Sequence, residues 1–236
     1  MKKKVLKIAL WAVIAIVGLF ILVMGFFAVK GAIMWNDAKS GLSPAQAAKE
    51  LRAAENFTPY EELPQFYIDA VISVEDRRFF THGGINVKSI IRAALYDIKN
   101  KSLDQGGSTI TQQLAKNVWF SGEKKLERKF AEVWAAFDLE KALTKENIFE
   151  LYANTIYFGS DYYGITEAAH GYFGKAPAEL TEYECAMLAG LPNAPSVYSL
   201  DESPELAGQR LAQVLDSMLT NGAITEEKMG ELLKVE

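Results

Sequence analysis

The feature that most constrains this chain is an uncharged apolar run near its N-terminus. The 22 residues from Ile8 to Val29 include no charged side chain. At a helical rise of about 1.5 Å per residue the run spans roughly 33 Å, enough to cross the hydrocarbon core of a bilayer. Four lysines precede it, and basic residues mark the cytoplasmic side of a span. The sequence therefore predicts a cytoplasmic tail over residues 1–7, a transmembrane anchor over residues 8–29, and the remainder outside the cytoplasm.

Two other interpretations of this run fit less well. A cleaved signal peptide has an apolar region of about 7–15 residues that ends in small side chains. This run is longer, and Phe26, Phe27 and Lys30 stand where small residues would be needed. A core helix is disfavoured because the run has no polar face.

The rest of the composition is that of a globular domain without disulfide bonds. The chain has 236 residues, of which 50% are hydrophobic and 23% are charged. The ~200 residues after the anchor are enough to bury a core. Cys185 is the single cysteine, and its apolar helical surroundings predict a core residue. The net charge of −5 argues against nucleic acid as a partner.

Apolar residues recur at helical spacing through most of this part, and no pair of strands is evident. Ser43 and Pro44 form an N-cap and first helical position, which open a helix that runs to about residue 56. Thr144 is a predicted N-cap, and Thr181 with Glu184 predicts a capping box. Further helices are predicted over residues 64–76, 87–99, 109–120 and 123–143.

Two polar clusters interrupt the apolar pattern. The first, residues 74–84, contains the pair Glu75 and Asp76, and the second, residues 106–117, begins with two glycines. A surface helix gains its solubility from Lys and Glu, and does not need Ser, Thr, Gln and Lys crowded into nine residues. Such a run supplies many hydrogen-bond donors and one cation, which suits a sugar or a phosphorylated ligand. The Glu-Asp pair offers a base beside it.

Together with later motifs, these clusters resemble the peptidoglycan glycosyltransferase family, which polymerises lipid II into glycan strands. The motif matches are Glu75, Asp76, Phe79, His82 and Gly84, then Gly106 to Asn117, then Arg128, Lys129 and Glu132, then Ile148, Glu150, Tyr152 and Asn154, with further matches within residues 168–196. The resemblance runs from about residue 60 to about residue 224, in the family's order and spacing. Because no room is left after Leu232 for a penicillin-binding transpeptidase domain, the chain resembles the monofunctional form.

The resemblance implies an all-α, lysozyme-like fold over residues 60–236, behind a membrane-proximal linker or helix over residues 30–59. A smaller lobe near the membrane is expected to carry part of a lipid-binding groove. The implied reaction joins the 4-hydroxyl of one disaccharide to the anomeric carbon of another with inversion, and releases polyprenyl pyrophosphate. The implied location is the bacterial cytoplasmic membrane. The implied partners are lipid II, the growing glycan strand, membrane lipid and other cell wall synthesis proteins.

Glu75 is the candidate general base. It is predicted at a helix C-terminus, whose partial negative charge raises the pKa of a carboxyl group, and apolar Phe79 and Phe80 would add desolvation. Both effects move a glutamate toward useful basicity near neutral pH. The resemblance assigns the same role to this position. On local chemistry alone, Glu75 is also consistent with a solvated surface acid beside Arg77 and Arg78.

Glu132 is the second candidate catalytic residue. It lies three residues after Lys129 and four after Arg128, so the three share one helical face. An ordinary intrahelical salt bridge, worth roughly a few tenths of a kcal/mol, explains the same spacing. The resemblance instead makes Glu132 an accessory acid or an orienting group near the leaving oxygen. The sequence does not separate these two roles.

Lys116, Arg128 and Lys129 are the candidates for binding pyrophosphate, since Arg offers a bidentate fork and Lys a point charge. Ser108 and Thr109 open a helix whose exposed backbone donors also suit an anion.

The second cluster also predicts one wall of a groove. Thr109, Gln112, Gln113 and Lys116 are spaced three, four and seven residues apart, so they form one helical stripe. A hydroxyl, two amides and an ammonium make a poor core face and a good wall for a pyrophosphate-sugar groove. Lys124 stands where the family commonly has an arginine, which keeps the charge and loses the fork geometry.

The remaining motif residues have less defined roles. The resemblance places Phe79 among the substrate-binding residues, and His82 is expected to orient the Glu-Asp loop by a hydrogen bond. For Asp76 two roles are open: contact with a divalent cation, Mg or Mn, beside the pyrophosphate, or capping of a turn. No organic cofactor is expected. The two histidines, His82 and His170, lack metal-ligand spacing, so no metal site is predicted.

Two other functions are open. A lysozyme or lytic transglycosylase would share the fold and a catalytic glutamate. Its leaving group is a sugar, however, so it has no need for the cations Lys116, Arg128 and Lys129. A non-catalytic membrane-anchored scaffold for wall synthesis would need neither Glu75 nor Glu132.

Overall fold

The computed structural model describes residues 2–100, 106–120 and 126–235. In these ranges the backbone forms α-helices and short 3-10 turns, and β pairing is limited to one bridge between Tyr157 and Tyr163. This confirms the predicted all-α fold. The α-helices are α1 Lys2–Gly41, α2 Pro44–Arg52, α3 Gln65–Glu75, α4 Val87–Asn100, α5 Ile110–Trp119, α6 Leu126–Ala142, α7 Lys145–Thr155, α8 Ile165–Phe173, α9 Glu182–Gly190, α10 Pro195–Tyr198, α11 Pro204–Thr220 and α12 Glu226–Leu232.

The first helix, α1, is continuous over 40 residues, so it contains residues 8–29 and extends past them. Its segment Leu6–Gly41 is long and apolar enough to cross a membrane by length and composition. Ser43 then caps α2 by accepting the backbone N–H of Gln46, as predicted. α2 ends at Arg52, about four residues earlier than predicted, where the guanidinium reaches Glu150 of α7 at 2.6 Å.

The C-terminal part of α1 packs along α6. A Cβ atom on Gly31 would lie 2.7 Å from the backbone nitrogen of Ala131, so only glycine allows this approach. Trp35 is 2% exposed, packs edge-on against Trp119 and donates Nε1 to Asp138 at 2.8 Å. The helix that carries the predicted anchor is therefore also part of the folded domain.

Two groups of helices form the core: α3 packs with α9 and α11, and α5 packs with α6 and α7. Thr144 caps α7, and Thr181 forms a capping box with Glu184 at the start of α9, both as predicted. Cys185 in α9 is 1% exposed, which confirms it as a core residue, and burial raises the pKa of its thiol to about 12. This packing brings α3, α5, α6 and α11 to the border of one cavity.

Candidate active site

A cavity of about 840 Å³ opens between the C-terminal end of α3 and the faces of α5, α6 and α11. Seven of the candidate catalytic and substrate-binding residues line this cavity, and they come from three separate motifs. They are Glu75, Ser108, Gln112, Gln113, Lys116, Lys129 and Glu132. The structure therefore brings both candidate carboxylates together with two of the candidate cations.

Glu75 is the last residue of α3, and its side chain is 11% exposed. Gln113 donates Nε2 to Oε2 of Glu75 at 2.7 Å, and Nη2 of Arg210 lies 3.7 Å from Oε1. Burial raises the pKa of Glu75, while the Gln113 hydrogen bond and the charge of Arg210 oppose that rise. The direction agrees with the sequence prediction. Of the two aromatic residues expected to desolvate Glu75, Phe79 is buried and Phe80 is 49% exposed.

The residues that follow Glu75 make structural contacts outside the cavity. Asp76 is 4% exposed; its Oδ2 lies 2.7 Å from Nε2 of His82 and accepts the backbone N–H of Ile110 at 3.3 Å. Of the two roles open for Asp76, this geometry matches capping, here at the start of α5. Phe79 is fully buried beneath the ammonium of Lys145, which lies 4.4 Å from its ring. The structure thus places Asp76, Phe79 and His82 outside the cavity lining. The contact between His82 and Asp76 matches the orienting role expected of His82, whereas the substrate-binding role that the resemblance implies for Phe79 has no cavity contact to support it.

The residues of the stripe predicted on α5 have two roles: some cap the helix, and others line the cavity. Thr109 is the N-cap of α5 and forms a capping box with Gln112, and its hydroxyl donates to the carbonyl of Gly84 at 2.6 Å. Gly84 has a φ of 89°, and a Cβ there would lie 3.1 Å from the backbone of α6, so this turn requires glycine. Gln112, Gln113 and Lys116 line the cavity, whereas Thr109 does not.

Glu132 is fully buried between two cations of its own helix. Arg128 Nε lies 3.1 Å from Oε1 of Glu132, and Lys129 Nζ lies 2.6 Å from Oε2. Lys129 also donates to the hydroxyl of Ser108 at 2.9 Å, which joins α6 to the second cluster. The acid of this group is buried, and Arg128 is largely buried, so the group differs from a solvated surface salt bridge, although Lys129 remains half-exposed. Arg128 does not line the cavity, and Lys124 lies outside the described residues.

Sequence reasoning missed two arginines of the cavity wall, Arg92 of α4 and Arg210 of α11. A signal for Arg210 was present in the helical pattern. It lies three residues after Ala207 and four before Val214, which are both buried. A charged residue on an apolar helical stripe is rarely buried without a partner, so this position indicates a paired arginine.

The charge of the cavity favours an anionic ligand. Four cationic side chains and three carboxylates line the described part of the wall. Ammonium and guanidinium groups are the donors that bind phosphate groups in proteins. Within the described residues, no group of three His, Cys, Asp or Glu side chains is placed to hold a metal ion.

Comparison with known proteins agrees with these observations. A family model described as transglycosylase matches residues 44–219. A protein of Cupriavidus necator that is named as a transglycosylase is 40% identical over 226 residues, which cover 95% of this chain and 96% of that protein. Penicillin-binding protein 1A of Neisseria flavescens is 44% identical over 180 residues, and that of Aquifex aeolicus is 45% identical over 175 residues.

The two penicillin-binding matches cover 76% and 74% of this chain, but 23% and 24% of those proteins. The chain thus spans about a quarter of the length of the penicillin-binding relatives it matches. A crystal structure of penicillin-binding protein 1A from Haemophilus influenzae is 29% identical, with a TM-score of 0.37, and covers 54% of this chain and 16% of that one. On the sequence matches, the chain belongs to the transglycosylase family of peptidoglycan glycosyltransferases.

Proposed function

We propose that this enzyme polymerises lipid II into glycan strands by inverting glycosyl transfer, with release of polyprenyl pyrophosphate. One observation carries the proposal: Glu75, a largely buried carboxylate held by Gln113, shares a cavity with Lys116 and Lys129. The reaction requires a base for a hydroxyl proton and positive charge for a departing diphosphate. This cavity offers both.

Glu75 acts as the general base. Its raised pKa makes it a stronger proton acceptor than an exposed glutamate. In the proposed step, Glu75 takes the proton of the 4-hydroxyl of one disaccharide, and the hydroxyl oxygen bonds to the anomeric carbon of the other. The bond from that carbon to pyrophosphate breaks on the opposite face. The configuration therefore inverts in one displacement, without a covalent glycosyl-enzyme.

Lys116 and Lys129 meet the charge that develops on the leaving pyrophosphate. Lys116 is exposed, and the side chain of Lys129 is 49% exposed, so both ammonium groups can reach a ligand in the cavity. One oxygen of Glu132 accepts a hydrogen bond from Lys129, and the other oxygen faces Arg128. A carboxylate paired in this way fits the orienting role, because it fixes the direction of Lys129.

The same geometry weighs against the two rival functions. A glycan-cleaving enzyme needs a catalytic glutamate, but its sugar leaving group gives no use for a cationic wall. A scaffold needs neither group. In the proposed step Oε1 of Glu75 receives the substrate proton, Gln113 binds Oε2, and Arg128 and Lys129 pair with Glu132, so we assign no step to a divalent cation.

Attachment of the enzyme to the membrane is the remaining part of the proposal. A lipid-linked substrate is held at a bilayer surface, and the uncharged residues 8–29 of α1 would hold the enzyme at the same surface. With the basic tail in the bacterial cytoplasm, the catalytic domain lies on the outer side. Membrane lipid and the growing glycan strand are then the expected partners, together with other wall synthesis proteins.

The experiment is polymerisation of lipid II by the purified full chain in liposomes. Glu75→Gln removes the proton acceptor at nearly constant shape, and we expect a loss of about 10²–10⁴-fold in turnover. Glu205→Gln, the same change at an exposed position of α11, is the matched control, and circular dichroism checks that both variants fold. Turnover of Glu75→Gln within threefold of wild type would overturn the base assignment. Cleavage of glycan without polymer would indicate the lytic enzyme, and neither activity would indicate the scaffold.

A further inference from the structure

Arg210 is a cavity residue that belongs to none of the motifs used above. Its side chain is 11% exposed, and Nη2 lies 3.7 Å from Oε1 of Glu75. This distance is too long for a hydrogen bond and close enough for a direct interaction of charges. Arg210 therefore faces the candidate base across the cavity wall.

The guanidinium of Arg210 is fixed by α9, by the segment that contains α10, and by its own helix. Nε donates to the carbonyl of Gly190 at 3.2 Å, and Nη1 donates to Oε1 of Gln213 at 2.9 Å. The ring of Tyr198 lies 5.9 Å from its central carbon. A Cβ atom on Gly190 would come within 2.9 Å of Cγ of Arg210, so the path of this side chain depends on glycine at position 190. These contacts together fix the position of the guanidinium relative to Glu75.

The two oxygens of Glu75 are in different situations. Oε2 accepts a hydrogen bond from Gln113 at 2.7 Å. In the described part of the chain Oε1 accepts no hydrogen bond and faces Arg210. Oε1 is therefore the oxygen available to receive a proton from a substrate hydroxyl.

We propose that Arg210 is a positioning residue that keeps Glu75 ionised between turnovers and directs Oε1 toward the acceptor hydroxyl. The proposal rests on the function proposed above. A carboxyl group in a cavity wall takes up a proton readily, and a protonated Glu75 cannot act as a base. A cation at 3.7 Å opposes that protonation without forming the tight ion pair that would consume the basicity.

The other charged and titratable groups around Glu75 do not replace Arg210. Asp76 carries the same charge as Glu75 and raises its pKa. Tyr67 and Tyr152 lie near Glu75, and burial raises the pKa of both hydroxyls, so they stay neutral. The remaining charged side chains of the described cavity wall are Arg92, Lys116, Lys129, Glu132 and Asp216. Arg210 is the cation, among the described residues, that forms an ion pair with Glu75.

The test uses the full chain and compares Arg210→Gln, Arg210→Lys and Arg92→Gln. Arg92→Gln is the matched control, because it removes the same charge from another part of the cavity wall. One measurement is the pH dependence of kcat/KM on lipid II, and the other is direct titration of Glu75 by NMR of ¹³C-labelled glutamate. The Glu75 signal is identified by its loss in Glu75→Gln.

We expect Arg210→Gln to move the acidic limb of the pH profile, and the midpoint of the NMR titration, upward by about one pH unit or more. Arg210→Lys keeps the charge and should stay close to wild type, and Arg92→Gln should shift far less than Arg210→Gln. An unmoved limb and midpoint in Arg210→Gln, with activity lowered equally at every pH, would overturn the proposal and leave Arg210 a structural residue.

Two further outcomes are separated by the design. If wild type forms no polymer, the proposed function fails, and the NMR midpoint still decides whether Arg210 acts on Glu75. If Arg210→Gln does not fold, Gly190→Ala displaces the arginine while retaining its charge. An upward shift in Gly190→Ala would then support the proposal, and an unchanged midpoint would overturn it.

Discussion

At Glu75 the proposed function opposes stability. Folding moves its carboxylate from water into the cavity wall, and its pKa rises. A carboxyl group whose pKa is higher in the folded than in the unfolded chain destabilises the fold once it is ionised. The cost is absent well below the ordinary pKa of 4.5 and is complete above the folded value.

Glu75→Gln is therefore expected to raise Tm above that of wild type near neutral pH, because it removes the ionised group. The difference should disappear below about pH 4, where the wild-type carboxyl group is protonated in both states. Thermal unfolding followed by circular dichroism at several pH values measures it, with Glu205→Gln as the exposed control. If Glu75→Gln melts below wild type at neutral pH, the hydrogen bond from Gln113 outweighs desolvation.

Substitution of Lys116 tests the role of the cavity's cations, because no structural role has been assigned to this residue. Lys116→Ala should lower kcat strongly and change KM little, since a cation that meets developing charge acts mainly on the chemical step. Lys49→Ala, which removes an exposed lysine of α2 outside the cavity lining, is the control. Steady-state kinetics on lipid II compare the two. Near-normal kcat in Lys116→Ala would transfer the pyrophosphate role to Lys129.

At the residue scale the sequence could predict which motifs supply polar side chains near the site. It could not predict which of those side chains line the cavity and which cap a helix. Asp76 and Thr109 belong to motifs as clearly as Glu75 does, yet they cap α5. Their partners are Ile110, 34 residues away from Asp76, and the carbonyl of Gly84, 25 residues away from Thr109. Such pairings depend on how α3 and α5 pack, which no local spacing encodes.

Helix α6 is the element on which the anchor helix and the site meet. One side of α6 packs against α1 at Gly31 and Trp35, and the other presents Lys129 and Glu132 to the cavity. Helical periodicity predicted α6 and its neighbours to within a few residues, because each carries an apolar stripe. It did not predict the docking of α1, because in an apolar helix a face that packs on protein looks like a face that meets lipid.

Gly31→Leu should therefore damage both the fold and the site. Overpacking of this kind costs about 1–3 kcal/mol, which corresponds to a fall in Tm of roughly 2–12 °C for a domain of this size. Turnover should fall as well, because α6 carries Lys129 and Glu132. Gly25→Leu in the same helix is the control, since a Cβ there meets nothing within 4 Å. Equal Tm values for the two variants would show that α1 does not need close contact with α6.

Over the whole molecule, one helix runs from the anchor into the catalytic domain without a break. The ring of Phe27 stacks on Phe130 at 6.4 Å, and Trp134 donates Nε1 to the carbonyl of Ala28 at 3.0 Å. Lys30 also lies 3.3 Å from Glu127. A truncation that removes the membrane segment alone must therefore stop before Phe27, where these contacts begin.

Deletion of residues 1–25 is expected to leave a folded domain with lower turnover on lipid II in liposomes. The anchor confines enzyme and substrate to one surface and so raises their effective concentration. In detergent that advantage is largely absent, and the loss should be smaller. An unrelated apolar helix of equal length, fused before Phe26, should restore turnover in liposomes, because confinement requires an anchor and not a particular sequence. Equal losses in liposomes and in detergent would contradict confinement and assign residues 1–25 a direct part in shaping the site.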